Sequence, residues 1–124
     1  MNILGIDYWT KYIWLAKKDT KHWMIMPVGY IQNDGSTMFE LANIIQQYNI
    51  NKIVVGYPQR QKDMQEKIDR FIKELSFVYP DMEIIKVDED YTSVEANATT
   101  WNFQKKPGEE DTIAAMKILE RFGG

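Results

Sequence analysis

The chain predicts an α/β protein: a five-stranded mixed sheet, three antiparallel strands followed by parallel crossovers, with helices on both faces. Three observations carry that reading. Through the second half of the 124 residues, short apolar segments alternate with amphipathic helical ones, the pattern of crossover connections. The first three apolar segments are joined by links short enough for hairpins. The composition, 44% hydrophobic and 27% charged with no cysteine, fits one globular domain over 1–124 and leaves no disulfide framework or thiolate metal site.

Ile3, Leu4 and Ile6 form a short strand that runs directly into Asp7. Residues 12–17 alternate, with Ile13 and Leu15 on one face, and form the second strand. Residues 23–31 form the third; Pro27 assigns it to an edge or a bend, because proline cannot donate to a ladder. Asn33-Asp34-Gly35-Ser36-Thr37 is turn chemistry, and Thr37-Met38-Phe39-Glu40 fits a capping box that opens a helix. Met38, Leu41, Ala42, Ile45 and Tyr48 make its apolar stripe. Residues 52–56 are a β-branched strand buried on both faces, ending at Tyr57-Pro58. A long amphipathic helix follows, with Met64, Ile68, Phe71, Ile72 and Leu75 on its buried side. Residues 82–87 are the last strand, and Asp88-Glu89-Asp90 closes it. A short helix over 92–98, a loop over 104–109 and a helix from about 110 to 122 complete the chain, with Ala115, Ile118, Leu119 and Phe122 facing inward.

Helices between strands imply right-handed parallel crossovers, so strands one, four and five run parallel. Their carboxyl ends share one sheet edge, and ligands collect at such edges in open α/β sheets. That edge gathers Asp7, the Gly56-Tyr57-Pro58 turn and the Asp88-Glu89 pair.

The net charge of −3 argues against a nucleic-acid binder held by bulk electrostatics, but not against an enzyme whose acids hold metal ions. Lysine and arginine gather locally at Lys17, Lys18 and Lys21, at Arg60 and Lys62, and at Lys105 and Lys106. No apolar run approaches a bilayer span and the start lacks a signal-peptide pattern, so no membrane partner is expected, and the absence of cysteine is compatible with a reducing cytoplasm.

Asp111 shares a helical face with Ala115, Ile118 and Phe122, which aims a first-turn carboxylate at the packing side. A carboxylate so placed needs a cation or donors to offset its desolvation. Asp7, Glu89 and Asp111 can therefore converge on one edge, and oxygen-only ligands suit Mg²⁺ or Mn²⁺ rather than zinc. Two such ions, about 3.5–4 Å apart, support phosphodiester cleavage. The alternative is three unrelated caps and turns. Tyr8 and Tyr57 flank the edge, either as core residues or as stacking surfaces; His22 reads as an exposed turn residue.

Four segments resemble the YqgF/RuvX family, in order and over nearly the whole chain. Gly5-Ile6-Asp7-Tyr8-Trp9-Thr10-Lys11 is similar to the family's opening Gly-x-Asp-x-Gly-Thr-Lys, and Val55-Gly56-Tyr57-Pro58 to its Val-Gly-Leu-Pro. The run from Val87 to Ala96 is similar to its Asp-Glu-Arg segment with a Thr-x-Glu-Ala tail, and Asp111 to Glu120 to its last helix. The resemblance implies a ribonuclease H-like fold and a cytoplasmic nuclease that matures the 5′ end of pre-16S rRNA. Family members have also been described as Holliday junction resolvases. By position, the catalytic and metal-binding acids carry over to Asp7, Glu89 and Asp111, with a two-metal Mg²⁺ or Mn²⁺ site. Thr10, Lys11, Gly56 and Pro58, with Arg60 beside them, are the expected substrate contacts. The expected partner is structured RNA or branched DNA, and the expected state a monomer or homodimer.

The chain departs from the family pattern in two ways. Asp90 stands where the family has arginine. Trp9 and Trp14 stand where it has glycine, and glycine also suits positions 23 and 101. One cause would cover all four, a source that reads UGA as glycine with UGA translated here as tryptophan; the alternative is a divergent protein whose Trp9 stacks on a base. Two further functional classes remain open. Gly-x-Asp-x-x-Thr is also similar to the phosphate loop of actin-like ATPases, which need two such domains, and a catalytically inactive nucleic-acid binder would keep the same fold.

Overall fold

Apolar residues at successive positions of three segments, Ile3-Leu4, Ile13-Trp14-Leu15-Ala16 and Ile53-Val54-Val55, are buried and make the centre of the sheet. The computed structural model describes residues 1–89 and 109–123. The elements are β1 (Asn2–Tyr8), β2 (Tyr12–Asp19), β3 (Met24–Gln32), α1 (Thr37–Gln47), β4 (Ile50–Pro58), α2 (Lys62–Val78), β5 (Glu83–Glu89) and α3 (Glu109–Phe122). The sheet order is β3-β2-β1-β4-β5. β2 is antiparallel to β1 and to β3, while β4 is parallel to β1 and to β5. The mixed sheet expected from the sequence is thus the one observed. The expected helix over 92–98, Asp90 and Trp101 lie outside the described residues, as does the 104–109 loop except Glu109, which opens α3.

Strand alternation sends neighbouring residues to opposite faces. Leu4 and Ile6 pack with Leu41 and Ile45 of α1 and with Ile68, Phe71 and Leu75 of α2. Ile3, Trp14, Ala16 and Val54 pack on the other face against Ala115, Ile118 and Leu119 of α3. At 11 residues α1 falls below the roughly 12–15 residues at which an isolated helix is even marginal, so burial of Leu41 and Ile45 holds it.

Gly5 decides how α3 lies. A Cβ at that position would fall 2.6 Å from Leu119 Cγ and 3.0 Å from the Ala115 carbonyl oxygen, so only glycine lets the helix backbone come this close. At the far end of α3, the Phe122 ring is 5.3 Å from Lys52 Nζ, and Lys52 pairs with Ile3. The helix therefore runs antiparallel to β1, with its first turn toward the strand's carboxyl end.

Three local expectations are refined. β2 extends to Asp19, because Lys17 and Lys18 pair with Leu4 and Ile3, and Lys18 is buried with its ammonium 5.0 Å from the Trp23 ring. Pro27 does lie on an edge strand, at a register shift where Leu15 faces Gly29 and Ala16 faces Pro27. The capping box expected at Thr37 does not form. Ser36 precedes the helix and Thr37 is its first residue; the buried Thr37 hydroxyl accepts the Asp34 N–H at 2.9 Å and shares its proton with the Gln32 and Asp34 carbonyls, each at 2.9 Å. Asp34 Oδ1 instead accepts the Ser36 N–H and hydroxyl at 2.8 and 2.7 Å, and the hydroxyl holds its carboxyl below the usual carboxylate range. No helix among the described residues is long and apolar enough to cross a membrane.

Candidate functional site

Asp7 is 3% exposed, although it stands near the end of its strand. Counting from Ile3 and Gly5, its position falls on the α3 face of the sheet. A carboxylate this buried is costly unless donors or cations meet it. One donor is the Trp9 indole, whose Nε1–H reaches Asp7 Oδ2 at 2.8 Å.

The turn that follows is tightly built. Trp9 N–H donates to the Tyr12 carbonyl at 3.0 Å, the Asn33 amide donates to the Trp9 carbonyl at 2.8 Å, and Asn33 N–H donates to the Lys11 carbonyl at 3.0 Å. Thr10 and Lys11 are exposed at its tip, next to Asp7 in the chain. Asn33 was not among the residues singled out from sequence, where it read only as turn chemistry; nothing in its local pattern announces that it ties β3 to the β1–β2 turn.

The other acids are placed by their backbones. Ile6 pairs with Val55, Gly56 with Val87, and Pro58 with Glu89, so β1, β4 and β5 end along one edge. Gly56 is buried on β4, the strand between β1 and β5. Val87 packs with the α3 cluster, and position 89 is the next on that face by strand alternation. Position 111 is one helical turn before Ala115, which rests on Gly5; Asp7 is two residues beyond Gly5. One turn of helix advances about 5.4 Å and two strand residues about 7 Å, so the start of α3 crosses the level of Asp7. The side chains of Glu89 and Asp111 lie outside the described residues, and among the described residues no three His, Asp or Glu side chains form a metal-sized group.

Arg60 is exposed in the β4–α2 link, whereas Gly56 and Pro58 are buried. Tyr57 is engaged on the α2 side. Its hydroxyl donates to Asp69 Oδ2 at 3.0 Å, and Lys86 Nζ lies 2.7 Å from Asp69 Oδ1 and 4.5 Å from the Tyr57 ring. Burial and the Asp69 hydrogen bond push the Tyr57 phenol up, while the Lys86 hydrogen bond holds the Asp69 carboxyl down. Tyr8 packs on Phe71 with ring centroids 4.9 Å apart. His22 is exposed and bonded to Asp19 at 2.8 Å; Asp19 pairs with Asn2, at the opposite end of the sheet from Asp7.

A family model described as RuvX, a Holliday junction resolvase, matches residues 1–122. A candidate pre-16S rRNA nuclease of Chlorobium luteolum is 34% identical over 97% of this chain and 92% of its own length. One from a Sulfurihydrogenibium species is 33% identical over 97% and 88%. Among solved structures, the fowlpox virus resolvase in complex with substrate Holliday junction DNA superposes with a TM-score of 0.50 at 21% identity, covering 99% of this chain and 86% of that one.

Proposed function

The chain belongs to the RuvX family, and from that membership we propose that it is a divalent-metal-dependent endonuclease that matures the 5′ end of pre-16S rRNA in the cytoplasm. The observation that carries the reading is the buried Asp7 carboxylate on the α3 face of the edge where β1, β4 and β5 end, level with the first turn of α3. The relatives named for pre-16S rRNA are 33–34% identical to this chain over nearly its full length, which supports RNA as the substrate.

In this reading Asp7, Glu89 and Asp111 hold the metal, and the ribonuclease H-like fold brings them from three distant segments. The donor set is all oxygen, which suits Mg²⁺ or Mn²⁺. Bound there, two such ions would supply a water nucleophile at neutral pH and offset charge on the leaving oxygen. The protein's own groups do the positioning. The Trp9 indole fixes the rotation of the Asp7 carboxylate. Gly56 brings only backbone to the strand between β1 and β5, and Pro58 is buried at the end of that strand. Lys11, Thr10 and Arg60, exposed around that edge, meet the phosphates on either side of the bond that breaks.

The test is Asp7→Asn. The change keeps shape and removes the charge, so cleavage of a pre-16S leader should fall by at least a hundredfold with an unchanged circular dichroism spectrum. Activity within a few-fold of the parent would sink the assignment. A four-way DNA junction in the same assay separates the substrates, and equal substrate affinity in EDTA and in Mg²⁺, with no cleavage, would mark an inactive binder instead.

A further inference from the structure

We propose that Tyr30 and Tyr12, backed by Trp14 and edged by Lys11, seat an unpaired nucleobase beside the cleavage site, so that the enzyme cuts within or next to a single-stranded stretch. The proposal rests on the nuclease reading and names the form of substrate it takes.

The register makes the seat continuous with Asp7. Asp7 pairs with Trp14 across β1 and β2, and Trp14 pairs with Tyr30 across β2 and β3. Directly paired residues share a face, so the three form one row, and the Asp7 and Tyr30 backbones are about 10 Å apart. Trp14 is buried and forms the floor. The Trp14 and Tyr30 ring centroids are 4.9 Å apart; the Tyr12 ring meets Tyr30 edge-on at 5.3 Å and lies 6.0 Å from Trp14. Tyr30, held on two sides by other rings, is nonetheless 56% exposed. A rigid ring with an open face is a stacking platform that loses little entropy on binding.

Charge supports a nucleic-acid occupant. Lys11 Nζ lies 5.6 Å from the Tyr12 ring, placing a cation for a phosphate beside a surface for a base. In a chain of net charge −3, phosphate contacts alone supply little affinity, and stacking adds a component that salt does not screen. A base within a duplex has both faces covered, so the platform selects unpaired strands. The edge strand itself is a poor seat for a second copy of the chain, because Pro27 and the register shift beside it interrupt the ladder a partner strand would extend.

The experiment is fluorescence anisotropy in EDTA, where nothing is cut, with a short labelled single-stranded RNA and a blunt RNA hairpin. Wild type should prefer the single strand. Tyr30→Leu, which keeps apolar bulk on Trp14 without a π-face, should weaken single-strand binding about tenfold, and Tyr30→Phe should bind within twofold of wild type. Hairpin affinity should not move in either variant, and both should melt close to wild type. Equal affinity of wild type for the two RNAs, an equal loss on both, or unchanged binding by Tyr30→Leu would overturn the seat. So would a Tyr30→Leu variant that turns a dimer into a monomer in sedimentation, which would assign the ring to self-association. Cleavage of a pre-16S leader by Asp7→Asn in Mg²⁺, measured alongside, keeps the two readings apart. A dead Asp7→Asn with an unaffected Tyr30→Leu removes the seat alone, and an active Asp7→Asn removes the metal-site assignment alone.

Discussion

Trp23 has a backbone φ of +53° and is 69% exposed. Left-handed backbone costs an L-residue about 1–2 kcal/mol, and glycine adopts it freely. The Lys18 ammonium 5.0 Å from the indole gives back about 0.5–1 kcal/mol. Trp23→Gly should therefore stabilise the protein by up to about 1 kcal/mol, a rise of roughly 3–6 °C in melting temperature; a fall would mean that the indole contact outweighs the strain. Trp14 is a different case. It is buried, packs on Tyr30, and would cost about 3–5 kcal/mol to remove from a core built around it. A UGA codon read as glycine requires the opposite, a gain at 14 as well as at 23. The melting temperature of Trp14→Gly thus discriminates where Trp23→Gly cannot, and a UGG codon at either position ends recoding there. At position 9 the indole has a bond of its own, to Asp7, which glycine would forgo.

At the scale of elements, the docking of α3 rests on one absent side chain. Gly5→Ala would drive a Cβ into Leu119 Cγ and the Ala115 carbonyl, so we expect a loss of about 1–3 kcal/mol in urea denaturation. Cleavage should fall further than stability, because Asp111 rides on the displaced helix; a Gly5→Ala protein with full activity would detach α3 from the site. The link between α2 and β5 is electrostatic. The Lys86 hydrogen bond lowers the Asp69 carboxyl, and Asp69 in turn raises Lys86. Asp69 thus contributes stability that is present above about pH 4 and lost as pH falls through its depressed value. Lys86 contributes stability present at neutral pH and lost only as strongly alkaline pH passes its raised value. Both side chains are nearly half exposed, so screening keeps the pair below about 1 kcal/mol. Asp69→Asn should show that small loss at pH 7 and a progressively smaller one as the pH falls below about 4 through the depressed Asp69 value, and a loss that does not shrink with acid would point to packing instead. Most elements were legible because period-2 and period-3.6 apolar patterns alternate cleanly from Ile3 to Val87. The α3 seat was not, since its partner lies at the other end of the chain and a lone strand glycine signals a close approach without naming what approaches. The capping box failed for a related reason: Thr37 matched the pattern, but burial turned its hydroxyl toward the Gln32 carbonyl.

Over the whole molecule, topology brings together what sequence order separates. A strand-end aspartate is ambiguous in isolation; parallel β1, β4 and β5 put its backbone on the same edge as Gly56 and position 89, because their carboxyl ends must share that edge. The role of the Trp9 indole was not readable in this way, since a side chain two residues along can return to Asp7 only through the turn that Asn33 clamps. The assembled edge carries a thermodynamic consequence. A cation that binds only the folded chain, held in part by a carboxylate as buried as Asp7, stabilises that fold by an amount that grows with its concentration. Such a ligand at a hundredfold its dissociation constant stabilises by about 2.7 kcal/mol. We therefore expect Mn²⁺ to raise the melting temperature of the wild-type protein clearly above its value in EDTA. If Asp7 and Asp111 hold the ion as proposed, Asp7→Asn and Asp111→Asn should lose that increment and, in EDTA, melt no lower than wild type, because each removes one carboxylate from the proposed cluster. If Mn²⁺ stabilises Asp7→Asn as much as wild type, the ion binds elsewhere; if the variants instead melt lower in EDTA, these carboxylates are held by structural partners and do not form a metal-binding cluster.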